Sequence, residues 1–183
     1  MRRAVFLDRD GVVNRAILHQ GKPFPPSTLA DLRVLPGVRE ACNRLREAGF
    51  ALILITNQPD VARGKASAEL VSEINERLKR FLRLDDIRVC PHDDEAECDC
   101  RKPKPGLLLE AARDWNIDLN KSYLVGDRWR DVEASQRAGC SAVFVDYGYS
   151  ERRPEGKYLR VRSLREAANW IVESVQKGIL CHA

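Results

Sequence analysis

Two carboxylates one residue apart, in Asp8-Arg9-Asp10-Gly11, are the first candidates for chemistry. In an extended chain residues two apart face the same side, so Asp8 and Asp10 can share a site while Gly11 lets the backbone turn away. Two nearby carboxylates repel unless a cation or a proton separates them, and a hard cation with oxygen ligands, such as Mg²⁺, fits. The order does not match a helix-loop-helix calcium loop, which wants a third oxygen ligand before the glycine and a glutamate further on. A polar turn after a strand is the plainer alternative. A second acidic pair, Asp127 and Asp131, lies in Gly126-Asp127-Arg128-Trp129-Arg130-Asp131. Asp127 can complete a Mg²⁺ site. Asp131 can bond loop amides or stand behind the ligands, or simply favour a helix start through the dipole. Lys102 and Lys104 sit in Arg101-Lys102-Pro103-Lys104-Pro105, where prolines stiffen the chain and hold the lysines in place. A lysine beside a phosphoryl group offsets the repulsion between an anionic nucleophile and an anionic substrate. The same Lys-Pro repeat also reads as an ordinary loop.

Cys90, His92, Cys98 and Cys100 form Cys-x-His, five residues, then Cys-x-Cys. Three thiols and one imidazole complete a tetrahedral zinc site with no open position, so the expected zinc is structural. Unligated thiols in an acidic loop are the alternative. The loop leads directly into Arg101-Lys102, and zinc there would fix the lysine from outside its immediate contacts.

The elements that must position these groups alternate between strands and helices. Arg3–Leu7 is a short apolar run ending at Asp8, and residues 50–55 are apolar without alternation, as in a strand covered on both faces. Further short strands are expected at Asp86–Cys90, 122–125 and Ser141–Val145. Between them lie helical patterns. Val38, Ala41, Cys42, Leu45 and Ala48 form one stripe, and Val71, Ile74, Leu78, Phe81 and Leu82 form another behind a Ser67 cap. Helices after Pro105 and up to Ala138 follow, and Ser163 with Glu166 has capping-box spacing before a last helix. Repeated β-α units imply an α/β fold, a doubly wound parallel sheet with helices on both faces, in one domain spanning 1–183 with the zinc loop 90–100 inserted. Three strands end in polar groups, at Asp8 and Asp10, at Thr56 and Asn57, and at Asp127, so those ends are expected to meet in one crevice.

Composition narrows the classes. The chain has 183 residues, 44% hydrophobic and 32% charged, which is ordinary for a globular protein. The longest apolar run falls far short of the ~20 residues of a membrane span. The first residues meet Asp8 too soon for a secretory signal, so a cytoplasmic protein without membrane association is expected. The net charge of +4 resides in the segment 147–165. It reads as a solvated basic surface, since no aromatic ladder or nucleic-acid motif accompanies it. The apolar residues are accounted for by strands and helix stripes, which points to a monomer.

Taken together, Phe6-Leu7-Asp8-Arg9-Asp10-Gly11, Ile55-Thr56-Asn57-Gln58, Arg101-Lys102-Pro103-Lys104-Pro105 and Val125-Gly126-Asp127-Arg128 resemble the haloacid-dehalogenase superfamily of phosphohydrolases, over roughly residues 4–146. The resemblance implies that Asp8 is the nucleophile and forms an aspartyl-phosphate. It implies that Asp10 protonates the leaving oxygen and then activates water, and that Thr56, or its neighbour Asn57, orients the phosphoryl oxygens. Lys102 would stabilise the charge, and Asp8, the backbone carbonyl of Asp10 and Asp127 would hold Mg²⁺. Such a mechanism splits one displacement into two easier ones.

The zinc loop followed by Cys-Arg-Lys-Pro is similar to the branch that contains histidinol-phosphate phosphatase and heptose bisphosphate phosphatases. The stretch Asn57-Gln58-Pro59-Asp60-Val61-Ala62-Arg63-Gly64 favours the heptose side. That branch lacks a large cap domain, which agrees with the modest loop between Asn14 and Pro36. The implied substrate is a small phosphorylated sugar, a heptose 1,7-bisphosphate dephosphorylated at C7 in bacterial envelope-sugar synthesis. Its implied contacts are Asn57, Gln58, Arg63, Arg101 and Arg128, with Arg63 and Arg101 directed to the distal phosphate. Histidinol phosphate or another small phosphomonoester is the near rival. A noncatalytic, zinc-stabilised nucleic-acid-binding module is the rival from another class. Two departures bear on the sugar: Val12 and Val13 follow Asp10-Gly11 where the family commonly has Thr, and residues 15–21 are more apolar than in the heptose enzymes.

Overall fold

The computed structural model describes residues 1–178. The sequence also suggests a frayed terminus at Cys181 and His182, which lie outside these residues. Among the described residues six strands form one parallel sheet: β1 (Arg3–Leu7), β4 (Phe50–Asn57), β5 (Asp86–Cys90), β6 (Tyr123–Gly126), β7 (Ser141–Val145) and β8 (Leu159–Val161). Their order is β5-β4-β1-β6-β7-β8. Among the described residues five α-helices cover it: α1 (Val38–Glu47), α2 (Ala68–Leu82), α3 (Gly106–Trp115), α4 (Trp129–Ala138) and α5 (Leu164–Gln176). A separate antiparallel hairpin, β2 (Ile17–His19) with β3 (Lys22–Phe24), stands apart from the sheet.

The unbroken apolar runs have a direct cause. Along β1, Val5 and Leu7 join the core cluster that includes residues of α1, α2 and α5, while Ala4 and Phe6 join the cluster that includes residues of α3 and α4. In β4, Leu52 and Leu54 belong to the first cluster and Ile53 and Ile55 to the second. Both faces are buried, so no polar alternation survives. The caps follow the expected chemistry. The Ser67 hydroxyl accepts from the Leu70 amide at 3.1 Å, and the Ser163 hydroxyl accepts from Glu166 at 3.2 Å. The returning arm of the box lands one residue early, on the Arg162 amide at 2.8 Å.

Three readings differ. Phe81, expected in the buried stripe of α2, is exposed, and the Arg39 guanidinium sits 5.2 Å from its ring centre. The loop expected between Asn14 and Pro36 contains the β2–β3 hairpin, closed by Gln20 and Gly21 at φ of 51° and 73°. Two positive φ angles are what a tight two-residue hairpin turn needs. The strand β8 lies in the segment read as a basic surface. Cys42 and Cys140 are both buried. No helix among the described residues is long and apolar enough to cross a membrane.

The strand order decides where a ligand can sit. Strand β1 pairs with β4 on one side and β6 on the other, so the winding reverses at β1. A crevice opens beyond the carboxyl ends at such a point. Asp8, Thr56 and Asp127 follow or end those three neighbouring strands.

Candidate active site

The crevice is a cleft of about 270 Å³ whose lining includes Asp8, Asp10, Thr56, Asn57, Arg63, Arg101, Lys102, Arg128 and Asp131. Lys22, Pro23 and Phe24 of the hairpin, with Pro25 after it, also line it. At its floor the Lys102 ammonium donates to Asp8 Oδ1 at 2.6 Å and to the Ile55 carbonyl at 3.1 Å. It also pairs with Asp131 Oδ1 at 2.6 Å. All three donors of a buried ammonium are thereby satisfied. Burial alone would pull its pKa down, but Asp131 and Asp8 outweigh it and hold Lys102 above the ordinary lysine value.

The backbone of Lys102 is fixed as well. Its amide donates to Asn57 Oδ1 at 3.1 Å, and Asn57 Nδ2 donates to its carbonyl at 3.0 Å. Asn57, expected on the substrate, thus spends its amide on pinning the lysine loop to the tip of β4. Gln58 differs more. It is buried, and its Nε2 donates to Asp10 Oδ2 and Thr56 Oγ1, both at 2.8 Å. It lies beneath the cleft as a strut and does not line it.

Asp10 is held from three sides. Besides Gln58, Arg9 Nε donates to Asp10 Oδ2 at 3.1 Å, and Asn14 Nδ2 donates to Oδ1 at 2.9 Å. Arg9 is wholly buried and donates through a second nitrogen to Asn75 Oδ1 at 3.1 Å. Sequence reasoning assigned no role to Arg9 or Asn14. One signal was present: Asn75 interrupts the apolar stripe of α2, and a buried asparagine requires a polar partner.

The acids carry the electrostatics of the site. Burial first, and then Asp131 and Asp10, raise Asp8 from 3.8 to about 6 against the pull of Lys102. Burial, followed by Asp8 and Asp131, pushes Asp127 well above the usual carboxylate range. Neither oxygen of Asp127 has a hydrogen-bond partner. Asp8, Asp127 and Asp131 offer oxygens that all lie within 4.8 Å of one another. An orphaned buried carboxylate among two others is the donor set a hard divalent cation takes. Asp131 joins this group as well as the lysine, and its Oδ2 accepts the Arg128 amide at 3.0 Å at the start of α4. The amide contact matches the expectation that Asp131 bonds loop backbone at a helix start. Gly11 is required here: it sits at φ of 93°, and a Cβ would come within 1.8 Å of Asp127 Oδ2.

The acids predict a pH signature for the metal-free protein. The unfolded chain releases the Asp8 proton near 3.8, whereas the native state keeps it until about 6. The native state then binds more protons between those values, so stability falls as pH rises through that window, by on the order of a few kcal/mol. Charged carboxylates bind Mg²⁺. The rise in Tm on adding Mg²⁺ is therefore expected to be larger at pH 7.5 than at pH 5. Thermal melts with and without Mg²⁺ measure this, and equal rises at both pH values contradict it.

Cys90, His92, Cys98 and Cys100 come together at the end of β5. Cys90 Sγ lies 3.8 Å from His92 Nδ1, 3.7 Å from Cys98 Sγ and 3.1 Å from Cys100 Sγ. The ligands of a tetrahedral zinc with bonds of about 2.3 Å are spaced by about 3.8 Å, so the cluster fits that ion.

The three expected substrate arginines are all engaged. Arg128 pairs with Glu151 through Nε at 3.0 and 3.1 Å. Arg101 Nε donates to Asp94 Oδ1 at 3.0 Å, and Arg63 reaches Asp94 Oδ2 at 3.3 Å.

Comparison with known proteins bears on these residues. A family model described as HAD-hydrolase-like matches residues 99–177. The D-glycero-beta-D-manno-heptose-1,7-bisphosphate 7-phosphatase of Yersinia pestis is 34% identical, covering 94% of this chain and 90% of that protein. The protein of the same name from Photorhabdus laumondii is 38% identical over the same shares. Among solved structures, a D,D-heptose 1,7-bisphosphate phosphatase from B. bronchiseptica, complexed with magnesium and phosphate, superposes with a TM-score of 0.81 at 31% identity. It covers 94% of this chain and 99% of that one. With a parallel sheet whose strand ends gather Asp8, Lys102 and Asp127, and with relatives matched along nearly its whole length, this chain belongs to the haloacid-dehalogenase-like hydrolases as a phosphoric monoester hydrolase.

Proposed function

We propose that this phosphatase removes the C7 phosphate of D-glycero-D-manno-heptose 1,7-bisphosphate, in the supply of activated heptose for lipopolysaccharide. The observation that carries the chemistry is Asp8 at the cleft floor with the Lys102 ammonium on its Oδ1 at 2.6 Å. The support for the sugar is the name shared by relatives 34–39% identical over most of the chain.

In the first step an Asp8 oxygen attacks phosphorus, the bond to the sugar oxygen breaks, and Asp10 gives that oxygen its proton. In the second step Asp10 takes a proton from water, the water oxygen attacks the aspartyl-phosphate, and Asp8 leaves as a free carboxylate with inorganic phosphate. Lys102 neutralises charge on Asp8 and on the group in transit, and Asp131 keeps that ammonium charged and aimed. Thr56 contacts the phosphoryl oxygens, and the Arg9, Asn14 and Gln58 contacts hold Asp10 in one orientation. Asp8, Asp127 and the Asp10 carbonyl, with Asp131 beside them, would hold Mg²⁺. When bound, that ion offsets the charge of nucleophile and phosphoryl oxygens. Zinc on the four Cys and His ligands would brace the loop that carries Lys102.

The test is phosphate release from the α and β anomers of the heptose bisphosphate and from histidinol phosphate. The β anomer, which most of the relatives' names specify, is expected to show a kcat/KM about 100-fold or more above histidinol phosphate. Comparable, slow rates on all three overturn the heptose reading.

A further inference from the structure

The rim of the cleft carries a second cationic cluster, away from Asp8 and Lys102. Asp94, in the loop between the zinc ligands, meets three guanidinium groups. They are Arg101 Nε at 3.0 Å, Arg63 at 3.3 Å and Arg130 at 3.6 Å. All four residues line the same cleft as Asp8. The three arginines come from three different parts of the fold: the loop after β4, the loop before α3, and α4. Residues so far apart in the chain converge on one carboxylate.

Each arginine is also held independently of Asp94. Arg101 donates to the His92 carbonyl at 3.2 Å, and Arg63 pairs with Asp60 at 3.7 Å. Arg130 lies over the Trp129 ring at 4.7 Å, with Arg152 at 4.6 Å from the same ring. A cation on an aromatic face gains electrostatically and keeps its orientation. The cradle is therefore built without its carboxylate. Asp94 itself is more than half exposed, on a short acidic loop, and its side chain can swing into solvent at small cost.

Charge completes the argument. With Asp94 in place, the three guanidiniums face Asp94 and Asp60 and retain one net positive charge. With Asp94 swung out they retain two, which matches a phosphate monoester dianion. Arginine forks suit that geometry. We propose that Asp94 is a resident stand-in anion, displaced when the second phosphate of a doubly phosphorylated substrate enters the cradle, and that Arg130 is a specificity-determining contact to that phosphate. This rests on the bisphosphate reading above. A substrate with one phosphate leaves Asp94 seated and gains nothing from the cradle.

A competitor that must leave first raises the apparent dissociation constant by the reciprocal of the fraction of time it is away. The experiment compares heptose 1,7-bisphosphate with heptose 7-phosphate, which has the same scissile ester and lacks the second anion. Asp94→Asn and Asp94→Ala are expected to lower KM for the bisphosphate about fivefold, as fits loss of an exposed ion pair, and to move KM for the monophosphate less than about twofold. Arg130→Gln is expected to raise the bisphosphate KM about tenfold relative to that of the monophosphate. Asp94 variants that raise the bisphosphate KM, or that shift both substrates alike, overturn the displacement. An unchanged KM ratio in Arg130→Gln removes that residue from the contact. Wild-type enzyme that hydrolyses neither ester overturns the substrate reading itself, which separates the two failures.

Discussion

Asp8→Asn is expected to reduce phosphate release by about 10⁴-fold or more while the protein stays folded. The substitution preserves shape and removes the anion that attacks phosphorus. The lysine keeps Asp131 and the Ile55 carbonyl, so the floor of the cleft does not collapse. The change should also not cost stability in the metal-free protein. Burial and the neighbouring acids already raise Asp8 to about 6, which means that its charge opposes folding at neutral pH. A neutral amide in its place relieves Asp127, which Asp8 pushes upward. Phosphate assays and thermal melts in the absence of Mg²⁺ are the measurements: turnover lost, Tm equal or higher. Turnover within tenfold of wild type would remove Asp8 as the nucleophile. A protein that acted only as a zinc-stabilised binding module would not register the change.

Lys102→Met should damage both activity and stability. Methionine fills much of the same volume but leaves Asp8 and Asp131 facing each other with no cation between them. Removing one partner of a buried ion pair typically costs about 3–5 kcal/mol, because the remaining charge is uncompensated. Turnover should fall by about 10²–10³-fold through lost charge stabilisation. The stability loss should shrink at pH 5, where Asp8, raised to about 6, takes up a proton. Adding Asp131→Asn should recover part of the stability and none of the activity, since it removes the stranded charge without restoring the ammonium. Urea unfolding at pH 7.5 and pH 5, with parallel phosphate assays, resolves the two effects. A Lys102→Met protein as stable as wild type would show that the three-way contact carries little free energy.

The parallel sheet was legible because its central strands are buried on both faces and so write continuous apolar runs, as residues 50–55 do. The three polar strand ends were legible because polar groups stop those runs abruptly at Asp8, Thr56 and Asp127. The hairpin was not legible. Its strands have three residues each, are mostly exposed and leave no periodic trace, so only Gln20-Gly21 marked the turn. The lysine motif suggested the charge but not its second partner. That partner is Asp131, read in sequence from its own loop alone, and only the packing of α4 against the Lys102 loop brings the two together. Gln58 was misplaced onto the substrate for a similar reason. Motif position marks a residue as close to the site without saying on which side of the floor it lies. Arg9 was overlooked because an arginine between two acids reads as exposed until a buried partner, Asn75, is in view.

The placement of β1 has a kinetic consequence. Its two neighbours in the sheet, β4 and β6, lie far along the chain, and the Lys102–Asp8 pair closes across 94 residues. Contacts of such separation form only after long loops have been ordered, so topologies rich in them assemble slowly. Asp8 meets Asp127 only when β1 has paired with β6. The carboxylate cluster spans residues 8–131, and an ion that binds it has nothing to grip before β1 and β6 have paired. Mg²⁺ would then act on the finished fold alone: it would slow unfolding and leave the refolding rate untouched.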